Sequence, residues 1–202
     1  MKKLLLTSAG FENPKVGMKF LEIIGKPASE IKVVFIPTAA TTEGEKYYVG
    51  ECKKDLLEVG IDEKNIKVLD LDHQISYSEV AGFDVIYMCG GNTFHLLNTV
   101  RKTGFDKAIK QFLEEGKVYT GVSAGSILMG PNIEIAKLGD KNECGVTNFT
   151  GLGYIDSAIS PHYNEDERKK VEDFKKKTNY PILPLKDNQA LLVLDNKTEI
   201  IE

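Results

Sequence analysis

Short apolar runs alternate with amphipathic stretches from the first residues to about position 130. "KLLLTSA" (3–9), "IKVVFIPTA" (31–39), "NIKVLDL" (65–71), "FDVIYMCGG" (83–91) and "KVYTGVSAG" (117–125) have the continuous apolar character of strands buried on both faces. Between them, "PKVGMKFLEIIG" (14–25), "EGEKYYVGECKKDLLEVG" (43–60), "NTFHLLNTVRKTG" (92–104) and "FDKAIKQFLEEG" (105–116) read as helices. Gly25, Gly60, Gly104 and Gly116 stand where helix C-caps are expected. Repeated strand–helix alternation predicts an α/β fold, a doubly wound, mostly parallel sheet with helices on both faces.

Past residue 130 the rhythm breaks. "PNIEIAKLGDKNECGVTNFTGLGY" (131–154) is polar and irregular, with four glycines, and predicts loop or short strands. A charged helix is expected over 165–178, followed by "YPILPL". "QALLVLD" and "TEIIE", separated by Asn196-Lys197, predict a C-terminal β-hairpin.

Length and charge narrow the classes of function. A chain of 202 residues is expected to form a single domain, residues 1–202, with a substantial core. The apolar (42%) and charged (28%) fractions are those of an ordinary soluble protein. A net charge of -4 and the absence of a long basic stripe argue against nucleic acid as a partner. The densest basic run, Arg168-Lys169-Lys170 with Lys175-Lys176-Lys177, is interleaved with acids and reads as a solvated helix face. The opening "MKKLLLTSAG" imitates a signal peptide. Its apolar centre, Leu4-Leu5-Leu6, falls short of the roughly 7–15 residues such a segment needs, so a first strand is expected. No run approaches the ~20 apolar residues of a membrane span. Cys52, Cys89 and Cys144 are odd in number and lack paired metal or redox spacing, which points to a reducing, cytoplasmic setting.

Ligands of such a sheet gather at the C-terminal ends of its parallel strands, and three unusual stretches fall there: "PTAATTEG", "CGGN" and "GVSAG". In "GVSAG" (121–125) a serine sits at a strand-to-helix corner between two glycines, the pattern of a nucleophile elbow. The N–H groups of the following helix favour developing negative charge at the same spot. The competing reading is a tight turn that ends a strand. "CGGN" (89–92) leaves the N–H of Gly90 or Gly91 free to face a ligand and, with that of Ala124, to form an oxyanion hole. Its structural reading is a turn before a helix capped by Asn92 or Thr93.

A hydroxyl nucleophile needs a base, and only His73, His95 and His162 are available. His73 lies in the polar "LDHQ" loop, and His95 on a helix is placed to pack or cap. His162, in "AISPHYNED", follows a short apolar run and a stiffening proline, which makes it the best-placed base. Glu134, Asp140, Glu143, Asp156, Asp187 and Asp195 are all open as the carboxylate that orients it. Cys89 ends a buried strand without an elbow and reads as a core residue rather than a nucleophile. The three histidines have no paired spacing, so no metal or other cofactor is expected.

"CGGNTFHLL", "GVSAGSILMGP" and "ISPHY", in this order and at these intervals, resemble the peptidase E family of serine peptidases, the aspartyl dipeptidases. The resemblance runs from the first strand to the C-terminal hairpin. It implies a fold similar to that of class I glutamine amidotransferases, with serine in place of their cysteine. It also implies Ser123 as nucleophile, His162 as general base, and Gly91 and Ala124 as the oxyanion hole. For the acid it implies a carboxylate soon after Pro131, to which Asp140 falls closest, with Asp187 in "LPLKDNQ" as second choice. Gly90 and Asn92, beside the expected nucleophile, are the candidate substrate-binding positions. Recognition of an N-terminal aspartate calls for a cation, for which Arg168 is the candidate. The implied activity is hydrolysis of short peptides, N-terminal aspartyl dipeptides among them, by a monomer or homodimer. The segment after the Pro-His pair is shorter here than is usual in the family. The rival expectation is therefore a non-catalytic ligand-binding or sensing module on the same scaffold.

Overall fold

The period-2 alternation of burial inside each apolar run decides the architecture. In β1 (Lys3–Thr7), Leu4 and Leu6 face one hydrophobic cluster and Leu5 the other. The same split separates Val34 and Ile36 from Val33 and Phe35 in β2 (Val33–Ile36). It separates Ile86 and Met88 from Val85 and Tyr87 in β4 (Val85–Met88). A strand that buries both faces has no polar alternation to show, which is why these runs are continuously apolar.

The computed structural model describes residues 1–202. Its remaining strands are β3 (Ile66–Val68), β5 (Val118–Val122), β6 (Ala158–Ser160), β7 (Ile182–Pro184), β8 (Ala190–Leu194) and β9 (Lys197–Ile201). Seven strands form one sheet in the order β3-β2-β4-β5-β1-β8-β9. The five from β3 to β1 run parallel, and β8 and β9 are antiparallel, forming the expected hairpin. β6 and β7 make a separate parallel pair.

Helices α1 (Pro14–Ile24) and α2 (Glu43–Glu58) cover one face of the sheet. Helices α3 (Thr93–Thr103), α4 (Phe105–Glu114) and α5 (Ala124–Ile127) cover the other, joined by the α6 (Arg168–Lys175) residue Val171. α4 shows why they form: Phe105, Ala108, Ile109, Phe112 and Leu113 repeat at helical spacing and are buried. The four expected glycines all adopt left-handed φ values, from 71° to 93°. Asn13 caps α1, accepting from Lys15 N, and Thr42 and Glu45 close a capping box at α2.

Two expectations need correction. The third run is an edge strand, not one buried on both faces: Val68 is 51% exposed, because nothing pairs beyond β3. The charged helix is also shorter than 165–178; residues 165–167 form a 3₁₀ turn before α6. Segment 131–154 is largely irregular, with a 3₁₀ turn at Glu134–Leu138 and an isolated bridge between Asn132 and Thr150.

Candidate active site

The corner at the C-terminal end of β5, in the middle of the sheet, is held by close packing of backbone. Ser123 has φ 48° and ψ -107°, a conformation that costs a non-glycine residue about 1–3 kcal/mol. The glycines two places either side are there for lack of room. A Cβ on Gly121 would lie 2.6 Å from the Gly125 backbone, and one on Gly125 would lie 2.4 Å from Met88 O. Hydrogen bonds then lock the turn to β1: Ser123 N donates to Thr7 O at 3.1 Å. The buried Ser126 hydroxyl lies 2.8 Å from the carbonyl oxygens of both Thr7 and Gly121, and Tyr119 Oη donates to Gly125 O at 2.8 Å.

His162 reaches this corner from another layer. β6 ends at Ser160, Pro161 follows, and His162 turns through a positive φ of 56°. Its Nε2 lies 3.0 Å from Ser123 Oγ, and its Nδ1 lies 2.6 Å from Asp187 Oδ1. Asp187 comes from the loop between β7 and β8, so β8, beside β1, brings the carboxylate to the imidazole. A fourth side chain ties these loops together. Ser8, buried at the end of β1, accepts from His162 N at 2.7 Å and donates to Asp187 Oδ1 at 3.0 Å.

The same corner exposes free backbone donors. The N–H groups of Gly90, Gly91 and Ala124 donate to no acceptor in the protein. Gly91 has φ 136°, and a Cβ there would fall 2.2 Å from Ala39 O, so no side chain can stand between its backbone and a ligand. Ser123 and His162 line two cavities. The larger, about 580 Å³, is bounded by Gly90, Gly91 and the Glu45–Asp55 stretch of α2; the smaller, about 340 Å³, by Thr93, Asp140, Asn164 and Glu167.

Residues 4–201 match Peptidase family S51. The chain belongs to that family. Relatives of this S51 peptidase include an uncharacterised peptidase of Pasteurella multocida, 34% identical, spanning 100% of this chain and 97% of the relative. An uncharacterised peptidase of Listeria innocua is 35% identical over 98% of this chain and 95% of its own length. A protein named Peptidase E from a Nostoc species is 28% identical over 86% and 74%. A crystal structure of a candidate Peptidase E protein from Listeria monocytogenes superposes with a TM-score of 0.82 at 31% identity, covering 100% of this chain and 98% of that one. The chain is thus a serine peptidase by family, with the peptidase E fold. No helix is long and apolar enough to cross a membrane.

Within the S51 frame, Ser123, His162, Gly90, Gly91 and Ala124 come together as the sequence led us to expect. Asn92 and Arg168 do not, and Asp140 reaches the smaller cavity without taking the expected place beside the imidazole. Asp140 is not the histidine's hydrogen-bond partner: its Oδ2 accepts from Thr93 N at 2.8 Å, at the start of α3. The irregular 131–154 segment carries it to the helix's free N–H groups, which attract a carboxylate. Burial pushes its carboxyl above the ordinary range, with the Thr93 hydrogen bonds pulling back. Asp187, the second choice, takes the imidazole. Asn92 lines neither cavity. Its side chain accepts from His95 N and donates to Lys141 O, so it caps α3 and anchors the 131–154 segment. Arg168 is an exposed residue of α6 paired with Glu172 and Glu165, and it also lines neither cavity.

Of the other residues weighed, His73 is exposed between Asp72 and Glu79, which raise its pKa, and His95 borders a separate groove beside Asp70 and Asp72. Cys89 is fully buried, and desolvation pushes its thiol well above the ordinary value, consistent with a core role. Sequence reasoning passed over Ser8. The one available signal was its position, a small hydroxyl residue directly after a fully apolar strand.

Proposed function

We propose that the chain hydrolyses short peptides through an acyl-enzyme on Ser123, with His162 as general base and Asp187 as the orienting acid. The observation that carries this reading is the chain of hydrogen bonds from Asp187 Oδ1 to His162 Nδ1 and from His162 Nε2 to Ser123 Oγ. Asp187 favours the tautomer with the proton on Nδ1, so Nε2 is free to accept the hydroxyl proton as Oγ adds to the scissile carbonyl. The carbonyl oxygen becomes negative and is met by the N–H groups of Gly91 and Ala124, each such donor being worth about 10²–10³ in rate. The imidazolium then donates its proton to the departing amine as the C–N bond breaks. Water, deprotonated by the same nitrogen, attacks the acyl-enzyme, and the acid leaves with Ser123 restored.

Ser8 acts in this scheme as a positioning residue. It holds the backbone of His162 and the carboxylate of Asp187 in one register, although neither loop is part of the main sheet. N-terminal aspartyl dipeptides are poor candidates as substrates, because no lysine or arginine lines either cavity.

A fluorophosphonate probe tests the proposal. Ser123 of the wild-type protein should be labelled, and labelling should vanish in Ser123→Ala and in His162→Ala. A folded wild-type protein that is neither labelled nor able to hydrolyse any short peptide or amide would overturn it in favour of a non-catalytic binding module.

A further inference from the structure

The peptide unit between Thr7 and Ser8, at the end of β1, is bonded to both halves of the site. Its carbonyl oxygen accepts from Ser123 N at 3.1 Å and from the Ser126 hydroxyl at 2.8 Å. Its N–H, that of Ser8, donates to Gln189 O at 3.2 Å, in the loop that carries Asp187. The Ser8 side chain then takes the His162 amide and the Asp187 carboxylate. A peptide unit is planar and stiff, so a tilt imposed at its carbonyl is delivered to its N–H.

One side chain grips that plane from the Ser123 corner. Ser126, in the single turn of α5, is fully buried, and its Oγ lies 2.8 Å from both Thr7 O and Gly121 O. The hydroxyl has one proton for two acceptors, and neither acceptor depends on it. Thr7 O keeps the Ser123 amide, and Gly121 O keeps the Thr7 hydroxyl at 3.2 Å. Removing the Ser126 hydroxyl therefore orphans no buried carbonyl, so polar satisfaction does not account for a serine here. Alanine would fit the same space and is the better helix former. What the hydroxyl adds is a tie from the end of β5 to the end of β1, across a corner in which Ser123 is held at φ 48°. Ser126 lines neither cavity, so contact with a substrate does not account for it either.

Building on the hydrolase reading, we infer that Ser126 is a positioning residue whose hydroxyl, acting through the Thr7–Ser8 peptide, aligns Ser123 Oγ with His162 and Asp187. Its part differs from that of Ser8. Ser8 holds base and acid to each other, and Ser126 joins that pair to the Ser123 corner. The two halves of the site then keep one register although they come from distant parts of the chain.

The test is a double-variant cycle on the rate of fluorophosphonate labelling of Ser123, in wild type, Ser126→Ala, Ser8→Ala and the two combined. Ser126→Ala should label about tenfold more slowly, the scale of one lost hydrogen bond, in protein whose circular dichroism matches wild type. Because both residues act through one peptide unit, the combined variant should also lose about tenfold, not the roughly hundredfold of independent contributions. Ser126→Cys, close in volume and a weaker donor, should label at a rate between serine and alanine, and it carries the same cycle should Ser126→Ala fail to fold. The alignment is also read without any reaction at Ser123. The low-field proton resonance of the His162 Nδ1–Asp187 hydrogen bond, assigned by its loss in Asp187→Asn, should shift in Ser126→Ala even though the substitution is in α5. A labelling rate within about twofold of wild type in both Ser126 variants, independent losses in the combined variant, or an unmoved resonance would overturn the inference. A wild-type protein that is never labelled, but whose resonance moves in Ser126→Ala, would overturn the hydrolase reading and leave the alignment standing.

Discussion

The corner at Ser123 and the loops that carry His162 are built in opposite ways. Around Ser123, the flanking residues of 118–127 are buried, and the turn is fixed mainly by backbone, with Gly125 against Met88 O, Gly121 against Gly125 and Ser123 N on Thr7 O, helped by the buried hydroxyls of Ser126 and Tyr119. Around His162 the partners come from β1, the 160–163 turn and the β7–β8 loop, and the side chains of His162 and Asp187 are 53% and 49% exposed. One half is held by steric necessity and the other by three hydrogen bonds among side chains and one backbone amide. In the proposed reaction the rigid half would set the position of the Ser123 oxygen, and the looser half the direction of its proton.

The sharpest way to break this comparison is at the acid. Asp187→Asn should keep the fold and lower kcat/KM about 10⁴-fold, the scale seen when a triad aspartate becomes asparagine and the wrong imidazole tautomer is favoured. A loss of less than tenfold would remove Asp187 from the role. Next comes the rigid half. Gly125→Ala should cost about 1–3 kcal/mol of stability from overpacking against Met88 O and lower the rate of Ser123 labelling about 100-fold, because a misplaced nucleophile loses its geometry. Thermal melts and labelling kinetics on one preparation check both.

Ser8→Ala should be milder, lowering kcat about tenfold with little change in KM, as expected when one hydrogen bond that positions others is lost. Partial recovery in Ser8→Thr, which keeps the hydroxyl, would distinguish positioning from packing. The smallest effect on turnover is expected at Asp140. Asp140→Asn should leave kcat/KM within about threefold, since its carboxylate bonds to Thr93 N and not to His162. Its signature is in stability against pH. The folded chain holds the Asp140 proton more tightly than the unfolded chain, so this residue's contribution to stability is present at low pH. It is lost as pH rises from the ordinary value of 3.8 through the raised folded value. Melting curves of Asp140→Asn across that range should show a shallower decline than wild type.

Much of the molecule was written in its apolar runs. Strands buried on both faces, helix caps at glycines and the terminal hairpin follow from local patterns, since each depends on residues within about ten positions of one another. The "GVSAG" elbow was legible for the same reason: its clashes with Met88 and across the turn demand glycine whatever else the protein does. The partner of His162 was not. Asp140 and Asp187 lie 22 residues before and 25 residues after it, and neither distance along the chain carries information on which side of the ring each carboxylate will meet.

Tertiary structure decided that question through sheet order. β8 inserts next to β1, which brings Asp187 and Ser8 to the same end of the sheet as the imidazole, while the 131–154 segment delivers Asp140 to the start of α3. The charge of the larger cavity was hidden in the same way. Glu12, Glu51 and Asp55 are unremarkable surface acids in sequence, and only the packing of α2 beside the β1–α1 loop gathers them around one opening. Local sterics are fixed by neighbours along the chain. Long-range hydrogen bonds and cavity electrostatics are fixed by which strands lie side by side, and that is settled only when the whole sheet has closed its core.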